Sequence, residues 1–102
     1  MTISPKRPGK QLNWSKRSIT DREKIAQFYK EEASLFIAIE ADKAIVGAAT
    51  KIRNHPLAYR GGKKPGTREY VMRRFPYILM YRVTATKISI VRVLHQSLHF
   101  FN

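Results

Sequence analysis

The stretch PYILMYRVTATKISIVRVLH, residues 76–95, decides the fold. Two runs dominated by Val, Ile, Leu, Met and Tyr flank Thr84–Lys87, the pattern of a β-hairpin. Each run holds one interior arginine, Arg82 and Arg92, so the direction of each charge tells which sheet face is core. With Ala85–Thr86 as turn residues, Arg82 stands opposite Ser89, Met80 opposite Val91 and Ile78 opposite Val93, and Arg92 falls on the other face. A bulge or a three-residue loop would shift this register and bring both arginines to one side. The face carrying Tyr77, Leu79, Tyr81, Val83, Ile88 and Ile90 is richer in large apolar groups, so helices are expected to pack there. Arg92, at the edge of that face, needs a carboxylate or outward snorkelling, because an unpaired buried charge is costly. The acids of residues 21–42 are its natural partners.

Moving upstream, TREYVMR (67–73) reads as a further strand, joined to residues 77–83 by the turn Arg74–Phe75–Pro76. Short connections make neighbouring strands antiparallel. The loop HPLAYRGGKKPG (55–66) is basic and rich in Gly and Pro, but Gly66 is followed by Thr67, Arg68 and a strand. A phosphate-binding P-loop needs Lys and Ser/Thr directly after its last glycine and then a helix, so nucleotide binding is not expected from this loop. Before Pro56, a helix capped by Ser34 carries Ala38, Ala41, Ile45, Ala48 and Ile52 at steps of three and four. Those alanines suit close packing of a preceding helix, capped by Ser15 and running to about Glu31, as a hairpin. The inward positions expected for that first helix are Ser18, Ile19, Ile25, Phe28 and Tyr29, and Thr20 with Glu23 offers a competing later cap. Gly47 is expected where backbone contact is tightest, since glycine weakens a helix by about 1 kcal/mol relative to alanine. QLNW (11–14) alternates as a short strand, and residues 1–10 read as a loose, flexible basic arm ahead of a single domain spanning 11–102.

The 102 residues suffice for one modest core. There is no cysteine, hence neither a disulfide nor a thiolate metal site. The three histidines are His55, His95 and His99. The i, i+4 pair His95/His99 is read as polar residues on a frayed tail rather than a metal site, and no metal or cofactor is expected. No apolar run reaches the ~20 residues of a membrane span, so a cytoplasmic protein without membrane association is expected. The formal net charge is +13 and unevenly spread: residues 21–42 hold six of the seven acids, and Glu69 is the single acid of residues 43–102. So strong a positive field attracts polyanions or an acidic protein. On the face of Arg82, Ile78, Met80, Val91 and Val93 have no helical layer left to cover them. An apolar patch rimmed by Arg68, Arg73, Arg74 and Arg82 is the expected protein-binding surface.

The order of strand, helical hairpin and three antiparallel strands, together with PGTREYV, PYILMYRV and RVLH, resembles the RelE/ParE superfamily of type II toxin–antitoxin toxins, closest to the ParE branch. The resemblance runs from about Gln11 to His95 and implies an α+β fold: a short N-terminal strand and a two-helix hairpin packed on a C-terminal antiparallel sheet. It also implies a cognate antitoxin as partner. RelE-like members are ribosome-dependent mRNA endonucleases; in alignment they place lysines where this chain has Glu69 and Val71, and arginines at Ile78 and near Leu98. Lacking these, the chain would need a different set, His95, His99, Arg68 and Arg82, to act as a nuclease on ribosome-bound mRNA. ParE-like members instead bind and poison DNA gyrase, the target the resemblance favours. The residues expected to meet antitoxin or target are Arg68, Arg73, Arg74, Ile78, Met80, Arg82 and Val91, with Phe100 and Phe101 of the aromatic tail. The helical hairpin is the alternative surface for the antitoxin.

Overall fold

The computed structural model describes residues 10–97. Strand β1 (Gln11–Trp14) leads into helices α1 (Lys16–Glu32) and α2 (Leu35–Asn54). Strands β2 (Arg60–Gly61), β3 (Arg68–Val71), β4 (Tyr77–Val83) and β5 (Lys87–His95) follow. Both helices start where the serines direct. The Ser15 hydroxyl accepts from the Ser18 N–H at 3.0 Å, and Ser34 accepts from Ile37 at 3.1 Å. The strands form one sheet in the order β1-β5-β4-β3-β2, and β1 runs parallel to β5. The α+β architecture is as expected, with a mixed rather than purely antiparallel sheet, and with β2 an additional strand inside the Gly-rich loop.

The hairpin turns at Ala85–Thr86, and Arg82 faces Ser89 as the sequence predicts. Beyond that point the register differs: Tyr81 pairs with Ile90 but Met80 pairs with Arg92, so Val91 is bulged out and Ile78 meets Leu94. The cause lies at the edge of β5. There β1 ends, the Ser15 N–H donates to Ile90 O at 3.0 Å, and the Ser15 hydroxyl donates to Val91 O at 2.8 Å. The Asp21 carboxylate accepts the Val93 N–H at 2.9 Å. One residue of extra strand is accommodated there, and Arg92 moves to the face of Arg82. It still finds an acid from the predicted segment: its Nε and Nη2 donate to Asp21 at 2.8 and 3.0 Å around that edge.

The core lies between the helices and the sheet face of Tyr77, Leu79, Tyr81, Ile88 and Ile90, as predicted. All five residues of the α2 stripe are buried. From α1, Ser18 and Ile25 are buried, and Tyr29 packs edge-on against Phe75 and Tyr77. Ile19 and Phe28 instead face outward. A 17-residue helix lying on one partner helix and one sheet edge buries a narrower stripe than the sequence reading gave it. Arg22 bonds Asp42 through two 3.0 Å contacts, tying α1 to α2, and lies 4.4 Å over the Trp14 ring.

The far sheet face is not bare. Ile78 is 1 % exposed and Met80 6 %, and Val91 is half-buried. β4 is an interior strand, so each outward side chain has a neighbour on both sides: Ile78 sits between Val71 and Leu94, Met80 between Glu69 and Arg92. The expected exposed docking patch of Ile78 and Met80 is therefore absent.

Candidate partner-binding surface

Among the described residues, most of the large apolar groups left in water lie on the helices, with Leu57 and Val71 exposed outside them. Leu35, Phe36 and Ile39 of α2 are exposed, as are Ile19 and Phe28 of α1. A groove of about 460 Å³ runs along the outer seam of the hairpin, with Ala26 and Lys30 on one wall and Leu35, Ile39 and Lys43 on the other. Periodicity explains why α2 offers this second apolar edge: residues 35, 39 and 46 repeat at helical steps beside the buried stripe. The sequence names the hairpin only as an alternative surface, because exposed and buried stripes overlap on so apolar a helix.

A second recess lies on the opposite flank of α2, towards the sheet. Ala44, Gly47 and Ala48 meet Tyr70 and Met72 around a cleft of about 260 Å³ whose rim holds Lys51, Arg73 and Arg74. It opens past Tyr70 and Arg73 into a larger trough, about 610 Å³, beside Tyr59, Arg60 and Val71. Arg74 reaches Glu40 at 3.5 Å, and Arg60 holds the Glu69 carboxylate at 2.9 Å. Lys51 also adds positive charge to the last turn of α2, where a cation is favoured by the helix dipole. Among the described residues, this end of the molecule carries far more cations than acids.

The four predicted rim arginines do not ring one patch. Arg68 pairs with Tyr81 in register and so lies towards the helices, where its guanidinium donates to the Tyr59 carbonyl at 2.8 Å. Beside it the Tyr81 hydroxyl donates to Pro56 O at 2.6 Å. Burial pushes the Tyr81 hydroxyl up to about 12, the Arg68 charge opposing and Tyr59 adding to the rise. Arg82 lies on the other face, with Arg92, and its Nη1 donates to Pro65 O at 3.2 Å. Only Arg73 and Arg74 come together, on the α2 side.

The alternative nuclease set is likewise dispersed. His95 sits opposite Tyr77 with the rings edge-on at 5.5 Å, roughly 17 Å along the strand from Arg82. Its Nδ1 accepts from the Ser97 N–H at 3.1 Å. His99, Phe100 and Phe101 lie outside the described residues, as does Leu98. Among the described residues no group of three His, Cys, Asp or Glu is arranged to hold a metal ion. None of the helices described is long and apolar enough to cross a membrane.

The fold is similar to that of the chromosomal ParDE toxin–antitoxin system from P. aeruginosa, at a TM-score of 0.77 and 23% identity, over 84% of this chain and 95% of that one. It is also similar to the toxin–antitoxin complex RelBE2 from Mycobacterium tuberculosis, at 0.62 and 21%, over 86% and 99%. No curated protein matches the chain in sequence. The family profile of the ParE toxin of the type II toxin–antitoxin system parDE matches residues 12–99. With that profile spanning most of its length, the chain belongs to the ParE toxin family.

Proposed function

We propose that this toxin arrests growth by binding and poisoning DNA gyrase, without cutting RNA itself, and that a cognate antitoxin silences it. One observation carries the choice of target. The positions that resemblance assigns to the phosphate-handling lysines and an arginine of RelE-like nucleases are here Glu69, Val71 and Ile78, all on one sheet face. Glu69 is 4 % exposed and Ile78 1 % exposed, and the Glu69 carboxylate is held on Arg60. A fixed carboxylate beside a scissile phosphate repels the charge that builds in the transition state, where a nuclease needs preorganised cations. The antitoxin reading is supported by the family and by the two similar structures, which are of a toxin–antitoxin system and a toxin–antitoxin complex.

The expected outcome with purified toxin is inhibited supercoiling by DNA gyrase and accumulation of cleaved plasmid, with transcripts intact in a translating extract. Normal supercoiling at saturating toxin, with transcripts cut at the ribosome and spared on changing His95 to Ala, would replace gyrase by the mRNA endonuclease reading.

A further inference from the structure

The middle of α2 carries a glycine that the folded chain does not use. A Cβ built on Gly47 meets nothing within 4 Å, whereas one on Gly62 would run into the Thr67 side chain, and Gly66 has the single positive φ among the described glycines. Glycine in a helix interior is disfavoured against alanine. Neither crowding nor backbone conformation calls for one at residue 47. What the missing side chain leaves is the mouth of the cleft between α2 and β3.

That cleft has an apolar floor of Ala44, Ala48, Tyr70 and Met72 beneath three cations. Lys51 and Arg73 make no ion pair or side-chain hydrogen bond among the described residues, and Arg74, 61 % exposed, brushes Glu40 at 3.5 Å and lies 5.1 Å from the centre of the Phe75 ring. The recess continues along β3. The Met72 N–H donates to Tyr77 O at 2.9 Å, so by strand alternation Val71 turns its own N–H and C=O outward, past the end of β2. A nucleic acid would want free aromatic faces and an evenly cationic floor. Here the one floor aromatic, Tyr70, is set edge-on to Tyr59 at 4.8 Å, and the rest of the floor is Ala44, Ala48 and Met72.

We infer that the cleft over Gly47 seats an apolar side chain from an acidic segment of the cognate antitoxin, whose flanking carboxylates pair with Lys51, Arg73 and Arg74. This rests on the reading of the chain as an antitoxin-silenced toxin.

The probe is the antitoxin purified by co-expression from the adjacent reading frame, titrated calorimetrically against toxin variants. Gly47→Ala fills open space, so the free toxin should melt several degrees higher, yet bind the antitoxin more weakly. Gly47→Leu should weaken Kd about tenfold or more, and Arg73→Glu should do so with a shallower salt dependence. Unchanged affinity for both Gly47 variants overturns the proposal, even if Arg73→Glu binds poorly, because the apolar seat is then empty in the complex. Binding of a short DNA duplex that Gly47→Leu and Arg73→Glu weaken alike overturns it in favour of nucleic acid. Failure of wild-type toxin to bind the antitoxin overturns the silenced-toxin reading and the seat with it, a result distinct from a wild-type complex indifferent to Gly47.

Discussion

Asp21 shows how much one side chain can hold. It binds the Arg92 guanidinium twice and takes the Val93 N–H, closing the stretch of β5 edge that β1 leaves open. Asp21→Ala strands a half-buried guanidinium and an edge N–H together. The expected loss is about 2–3 kcal/mol, measured by urea unfolding. The need of Arg92 for an acid was legible because a charge within an apolar strand has few alternatives. The bulge was not, because it is set by hydrogen bonds from Ser15 and Asp21, far away in sequence. Tyr81 gives a residue-level handle on pH. Its hydroxyl, ordinarily near 10, is raised to about 12 by burial. Since the folded value is the higher, its stabilising contribution is complete below about pH 10 and is lost as pH climbs towards 12. Melting temperature should fall over that window, and Tyr81→Phe should flatten the fall while costing about 1 kcal/mol at neutral pH through the lost bond to Pro56.

At the scale of elements, caps and stripes were readable because they act within one turn of helix. Ser15 and Ser34 both cap as expected, but Ser15 also spends its hydroxyl hydrogen on β5. Ser34→Ala should therefore cost about 1 kcal/mol and Ser15→Ala more, a ranking that thermal melts of the two variants would check. Strand β2 escaped the sequence because a two-residue pairing within a Gly-rich loop has no periodicity to read. It depends on Arg60 meeting Glu69 across the strands. The candidate site was legible only in parts. Arg73 and Arg74 were picked out by charge, but the turn before β4 carries them to the α2 flank rather than to the face of Arg82. Gly47 was picked out as well, for the opposite reason: it marks open space, not a close approach.

Over the whole molecule, acids cluster on α1 and the first half of α2, while cations gather around the end of α2, β2 and β3. A molecule so polarised should attract an acidic partner faster than neutral docking allows, mainly through the association rate. Stopped-flow mixing with the antitoxin should show that rate falling steeply between low and physiological salt, with dissociation changing much less. A flat salt response would mean the apolar helix seam alone governs encounter. The fold itself follows from the division of chain between a helical half and a sheet half. The sheet surface the sequence misjudged, Ile78 with Met80, is one where each side chain has neighbours in two other strands.

The parallel pairing of β1 with β5 bears on biosynthesis. β1, the first of the five strands to be made, must wait for β5, the last of the five, so a nascent chain interrupted before residue 87 has helices but no closed sheet. Such fragments cannot reach the native shape, and ordering of the whole domain is deferred until β5 has been made.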